Sequence, residues 1–199
     1  SGMYRAKDEG LFLRIVCKGV WGWEVTDKSG TRYLFGQTPG ARIDAGGRDF
    51  RWALDEVIDP NGNSLTLTYA KDQGQLYPDR IEYAAHRASG RTATQRVTFL
   101  LEVRPDAERS LRHGTDTLVV TAKRLQAIEM RTLIGSTWTL ARRYELVYRT
   151  SARTGRSLLA GIRQIGADGA TAPPPTTFTY QADAQATYVQ GVVPLSETG

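Results

Sequence analysis

Cysteine is almost missing from this 199-residue sequence; Cys17 stands alone. No intramolecular disulfide can form, and with only two histidines, His86 and His113, a structural zinc site lacks donors. Cys17 closes the apolar run Ile15-Val16 with no histidine nearby in sequence, so it reads as an idle thiol rather than an activated nucleophile. No apolar run approaches the length of a membrane span, and no basic start followed by an apolar stretch marks a signal peptide. Lysine is scarce: the 26 basic residues are 21 arginines and five lysines. Helical periodicity is scarce too. Only Pro105–Gly114 has a helix-like start and stop, enough for two turns, and without an apolar stripe it fits an ordered loop equally well.

Strand patterning fills the space these absences leave. Trp21, Trp23 and Val25 alternate with Gly22, Glu24 and Thr26, and Thr31, Tyr33 and Phe35 alternate on the return. Between them lies Asp27-Lys28-Ser29-Gly30, turn chemistry in which Asp caps its own backbone and Gly takes positive φ. Glu56–Tyr69 repeats the design around Pro60-Asn61-Gly62, a strong hairpin signal. Further strands are expected at Leu11–Val16, Arg80–Tyr83, Arg96–Val103, Thr117–Thr121, Leu125–Met130, Thr137–Leu140, Arg143–Arg149, Leu159–Ile165 and Thr176–Tyr180. Ser157–Ile162 carries a helical spacing, but the run continues to Ile165 and reads as a strand. The expectation is an all-β chain of antiparallel sheets built from successive hairpins, meander- or sandwich-like, with at most one or two short helical turns. Apolar residues make up 40% and charged residues 24%, which suits a folded chain rather than a disordered one.

The net charge of +5 raises nucleic acid as a partner. The arginines are spread out, and no aromatic stacking motif interleaves with them. Their densest group is Arg142, Arg143, Arg149, Arg153 and Arg156, and it is the candidate partner-binding surface. Arg143 and Arg149, six apart, share a strand face with Glu145, which suits a solvated face or an acidic protein partner.

Catalytic signals are weak. Ser110, His113 and Asp116 are triad residue types, but they sit within one polar loop. Carboxylate pairs drawn from Asp55, Glu56 and Asp59, or from Glu102 and Asp106, lie beside turn signals. Gly46-Gly47 lacks the lysine and spacing of a phosphate loop. Asp59, Asn61 and Asn63 imitate a calcium loop without its closing glutamate. No catalytic residue, metal or cofactor is assigned. Two alternatives stay open: a carbohydrate-binding module using Trp21, Trp23 or Trp138 as exposed platforms, and a hydrolase on a β scaffold with His86 in a cleft.

The segments Trp23–Gly36, Trp52–Asn63 with Leu65–Tyr69, Leu76–Tyr83, Val97–Phe99, Arg104–Asp106, Arg124–Ile128, Arg143–Tyr148, Gly155–Leu159 and Pro175–Tyr180 together resemble, in order, the SpvB-type region of bacterial toxin-complex B components. The hairpins are also similar to tyrosine-and-aspartate (YD, or RHS) repeats, without clear periodic copies. The Arg-rich 142–156 stretch and Pro173-Pro174-Pro175 depart from the pattern. The resemblance implies a non-catalytic shell domain of a large secreted or surface-exposed protein, one that helps encapsulate or deliver a toxic polypeptide. The partners it implies are other domains of the same protein, a C-component-like subunit, and a pore-forming A component reached through a downstream propeller. The related plasmid virulence protein's ADP-ribosyltransferase features are not found in order in this stretch, and neither nucleic acid nor direct membrane insertion is expected. The whole chain is expected to be one β-rich domain, part of a larger protein, with 1–9 and 183–199 as flexible or boundary segments and a long strand edge left open.

Overall fold

The computed structural model describes residues 2–7, 10–45, 47–112 and 117–180. Fourteen strands run in order: β1 Gly2–Tyr4, β2 Arg14–Cys17, β3 Trp23–Thr26, β4 Arg32–Phe35, β5 Arg42–Ala45, β6 Arg48–Trp52, β7 Leu54–Ile58, β8 Asn63–Asp72, β9 Gln75–His86, β10 Gln95–Arg112, β11 Thr117–Ile134, β12 Thr137–Thr150, β13 Ser157–Ile165 and β14 Thr176–Thr177. Twelve of them form one open antiparallel sheet in chain order, each pairing with its neighbours along the chain except that β4 pairs directly with β7; β5 and β6, between those two in sequence, form a separate hairpin. Two single 3₁₀ turns, Gly19–Trp21 and Pro39–Ala41, are the only helical elements among the described residues.

The turns are built locally. Asp27 accepts the backbone N–H groups of Ser29 (2.9 Å) and Thr31 (3.0 Å). Asp59 does the same for Asn61 (2.9 Å) and Asn63 (2.8 Å), and Asp168 for Ala170 (3.0 Å) and Thr171 (2.9 Å). In each turn a glycine takes the left-handed step, Gly62 for instance at φ +89°. These hydrogen bonds stabilise the ionised carboxyls. The Ser29 hydroxyl leads in lowering Asp27, the Asn63 amide in lowering Asp59, and the Thr171 hydroxyl in pulling Asp168 down to about 2.

Register divides the sheet into two unlike faces. Trp23, Val25, Tyr33, Val57, Leu65, Leu67, Ile81, Val97, Phe99, Ile128, Tyr144, Leu146 and Ile162 fall on one face through successive pairings. The other face carries Glu24, Glu56, Arg80, Glu82, Arg96, Glu129, Arg131, Arg143, Glu145 and Arg163. No large side chain among the described residues is fully buried. The nearest approach to a core gathers Ala41, Ile43, Leu76, Tyr77 and Val120, where the β5–β6 hairpin, the β8–β9 end and the distal β10–β11 hairpin meet.

Two prolines split the sheet there. β9 pairs with β10 only from Tyr83–Gln95 to Arg80–Thr98. The next residues of β9 are Asp79, an extra residue in the pairing with β8, and Pro78, which has no N–H to offer. On β10, Pro105 sits in an insertion of four residues, Arg104–Ala107, facing only Ala122 of β11. The orphaned Ala122 N–H is taken up by the Tyr77 hydroxyl at 2.9 Å.

Several boundaries differ from expectation. The helical turns or loop at Pro105–Gly114 are absent: β10 runs on to Arg112, because the Pro105 bulge interrupts pairing without ending the strand. His113-Gly114 lies outside the described residues. The separate strands Thr117–Thr121 and Leu125–Met130 are one strand, β11, and Thr137–Leu140 and Arg143–Arg149 are one strand, β12. Single-residue bulges at Gln126 and Ala141 shift the alternation and imitate breaks. β2 begins at Arg14 rather than Leu11, since Phe12 adopts φ +53°. β14 ends at Thr177. The β5–β6 hairpin was not expected, and Gly46 lies outside the described residues. The long open edge does not fall on the outer strands, which have three and two residues.

Gly22 joins the first 3₁₀ turn to β3 at φ +75°, and a Cβ there would run into the Phe35 carbonyl oxygen. Gly22→Ala is expected to destabilise the chain by at least about 2 kcal/mol in urea unfolding. Gly10→Ala, in open space, is expected to stay within about 0.5 kcal/mol.

Candidate functional site

The richest polar constellation forms where the β10 bulge meets the start of β13. The insertion turns Asp106 toward Ser157, 51 residues away; Ser157 donates its backbone N–H at 2.8 Å and its hydroxyl at 2.6 Å. Arg104 grips the same carboxylate through Nε (3.2 Å) and Nη2 (2.9 Å) and reaches Glu108 at 3.5 Å. Arg124 donates to Glu102 (2.6 Å) and to the Ser157 hydroxyl (2.7 Å) while lying 4.2 Å over the Tyr148 ring. Arg156 reaches across to Glu108 at 2.5 Å. The Arg104 guanidinium and the Ser157 donors hold the Asp106 carboxyl far below the ordinary carboxylate range.

This chemistry is that of a clasp. A general base needs a free lone pair near a reactive proton, and Asp106 has its oxygens filled by donors. A serine nucleophile needs a base to take its proton, and the Ser157 hydroxyl already donates to a carboxylate that will not accept it.

A second array crosses the charged face. Arg96 holds Glu82 through Nε (3.0 Å) and Nη2 (2.5 Å), with its guanidinium 4.0 Å over Trp138. Glu129, 7% exposed, is held by Arg131 at 2.8 Å and Arg143 at 3.1 Å. Arg143 also meets Glu145 at 3.2 Å, and Arg163 lies 3.9 Å from Glu145. The result is an alternating-charge ladder over β9 to β13, each rung linking neighbouring strands or positions.

The residues singled out in the sequence take these places. Of the arginine group, Arg143 belongs to the ladder and Arg156 to the clasp. Arg142 is exposed and donates to the Tyr144 hydroxyl at 3.2 Å, Arg149 stacks 5.1 Å over Tyr180, and Arg153 is exposed in the β12–β13 turn. Glu102 and Asp106 do come together, both in the clasp. Asp55 is the bulged residue of β7, buried, accepting Gln37 N–H and the Thr38 hydroxyl (2.6 Å). Glu56 pairs with Arg87 at 2.5 Å. The Asn63 side chain turns its amide N–H toward Asp59 at 2.8 Å, placing a donor where a calcium ion would need an acceptor.

His86 accepts the Ser89 N–H at Nδ1 (3.1 Å), which leaves Nε2–H to donate to the Asn61 carbonyl at 2.9 Å. Its ring ties two turns together. Ser110 lies on β10, while His113 and Asp116 fall outside the described residues. Cys17 is half-buried on β2, opposite Trp23. Trp21 is 65% exposed, but Trp23 packs between Tyr4 (5.4 Å) and Trp52 (5.9 Å), and Trp138 lies under Arg96. The clasp's 51-residue contact was not read from the sequence; Pro105 inside a strand pattern was its one local signal.

Comparison with known proteins fits this geometry. Residues 3–116 match the SpvB family model, described as Salmonella virulence plasmid 65kDa B protein. The chain belongs to the SpvB family. No curated protein matches it in sequence. The N-terminal domain of the effector protein SpvB from Salmonella typhimurium strain LT2 is similar in structure, with 17% identity and a TM-score of 0.67 over 82% of this chain and 68% of that one. A TcdB2-TccC3 crystal structure is similar at 18% identity and a TM-score of 0.73, over 90% of this chain and 12% of that one. The Photorhabdus luminescens Tc holotoxin pore, carrying TccC3-D651A, is similar at 18% identity and 0.74, over 90% of this chain and 11% of that one. The chain thus has the fold of an SpvB-type toxin-complex B-component region and spans about a tenth of those toxin-complex chains.

Two outcomes are expected of the polar arrays. Asp106→Asn and Ser157→Ala should each lower the melting temperature, and the double variant should lose less than the sum, since both remove one contact. The depressed carboxyls of Asp27, Asp59, Asp106 and Asp168 have folded-state values below their unfolded ones. Their stabilisation is therefore present above about pH 4 and drains away as pH falls further. Melting temperature against pH should show no loss from these groups between pH 7 and 5 and a fall below pH 4. Glu129→Gln should cost about 1–2 kcal/mol in urea unfolding, because two half-exposed guanidiniums lose their shared partner.

Proposed function

We propose that the chain is a non-catalytic wall segment of a secreted toxin-complex B-like protein that helps encapsulate or deliver a toxic polypeptide. The observation that carries this reading is the open, sequentially ordered sheet with one apolar and one charge-laddered face, in an SpvB-family chain. A container wall needs broad extended surface and lateral cohesion. Cross-strand aromatic, β-branched and ionic pairs supply that cohesion at roughly 0.2–1 kcal/mol each. The strongest polar groups are engaged with one another, which suits cohesion better than turnover.

The partners in this reading are the remaining domains of the same β-rich protein, a C-component-like subunit, and a pore-forming A component reached through another domain. The exposed arginines Arg142, Arg149 and Arg153 are the surface for an acidic protein partner. Carbohydrate binding keeps one supporting observation, the exposed Trp21 ring.

The full-length protein containing this chain, co-expressed with its C-component-like partner, should shield the partner's cargo segment from added protease. Cargo cleaved as fast in the complex as when free would refute encapsulation. A glycan-array signal lost in Trp21→Ala would favour the carbohydrate reading.

A further inference from the structure

We propose that Thr171–Tyr180 is an autoinhibitory strap: it occupies the outer edge of β13 and keeps the β13 of a second copy from adding to the sheet there. Within it, β14 pairs Thr176 and Thr177 with Ile162 and Gly161. Past β14, Phe178 donates its N–H to the Ala160 carbonyl at 3.0 Å, and the Tyr180 hydroxyl donates to the Leu159 carbonyl at 2.8 Å. The Arg149 guanidinium, from β12, lies 5.1 Å over the Tyr180 ring. Ile162 is two residues on from Ala160 in the same pairing, so by strand alternation its N–H also faces the strap.

Two properties make this segment a guard rather than one more strand. Pro173-Pro174-Pro175 carry no N–H and favour polyproline II backbone. Pairing therefore cannot lengthen from Thr176 toward the turn, and a strand arriving from outside finds no donors there. Among the described residues no strand lies beyond β14. The hold on β13 is also slight. Every residue from Thr171 to Tyr180 is exposed, and β14 pairs only two of the nine residues of β13. The advantage of the strap is its tether. Gly166 donates its N–H to the Thr171 carbonyl at 2.8 Å, and the Asp168 carboxylate fixes the turn between them. The strap thus meets β13 at high effective concentration, while a longer strand must come from solution. A second copy supplies such a strand, because β13 is self-complementary. Two β13 strands related by a two-fold axis perpendicular to the sheet pair antiparallel and carry both faces, marked by Ile162 and Arg163, across the junction.

The test releases the strap in the whole chain. Thr176→Pro, Phe178→Pro and Tyr180→Ala together remove its backbone donors to β13 and its ring contact. By sedimentation velocity the unaltered chain should be monomeric, and the triple variant should dimerise about tenfold or more tightly. Amide exchange by NMR should show protection of Ala160 and Ile162 in the variant rising with concentration. Adding Ile162→Pro removes a strap-facing N–H and should restore the monomer. If that fourth substitution prevents folding, the concentration dependence at Ala160 and Ile162 decides alone. Phe178→Leu, which keeps the N–H, should leave the chain monomeric. A triple variant that stays monomeric, a dimer protected on other strands, or an unaltered chain already paired through β13 would overturn the proposal. None of these outcomes bears on cargo shielding, so this proposal and the wall reading can fail separately.

Discussion

A sheet one layer thick has almost no interior, and that constraint governs the rest of this molecule. Most of the apolar face is half-exposed, and no large side chain among the described residues is fully buried. Cohesion must then come from neighbours within the layer. On one face these are aromatic and aliphatic side chains brought side by side by register; on the other they are the carboxylate–guanidinium contacts of Glu82, Glu129 and Glu145 with their arginines. Individually such contacts are weak. Their number, and their placement between successive strands, makes the array effective.

Where the layer does thicken, the cause is specific. Pro78 cannot continue the ladder to β10, and Pro105 cannot continue the ladder to β11. Between them the sheet parts, the distal β10–β11 hairpin lies against the β8–β9 end, and Tyr77 satisfies the backbone group the bulge abandoned. The Asp106–Ser157 clasp then ties the bulge to β13. Bend and clasp thus come from the same insertion, which supplies both the local freedom and the residues that remove it.

Much of the architecture was legible in the sequence because it is locally encoded. The Asp27 and Asp59 turns, the alternation of Trp23 and Val25, and the strand ending at Ile165 each depend on a handful of consecutive residues. Bulges were not legible. Gln126 and Ala141 look like strand breaks because an extra residue shifts the alternation without changing composition. Pro105 suggested a helix start or a loop because its effect depends on what lies across from it. The polar arrays were the least legible part. Asp106 and Ser157 are 51 residues apart, and nothing near either one names the other. The arginine group was visible as a cluster, but the division of Arg143 to the ladder and Arg156 to the clasp required the fold.

The order of strands has one more implication. In the main sheet each strand waits only for the one before it in that sheet, and none is laid between two already formed; the β5–β6 hairpin merely lengthens the connection from β4 to β7. Such a chain can organise progressively from its leading end, closing short loops one after another rather than searching for distant partners. A polypeptide emerging slowly and in one direction, from a ribosome or a narrow conduit, could fold as it arrives, with only its growing rim unsatisfied at any moment.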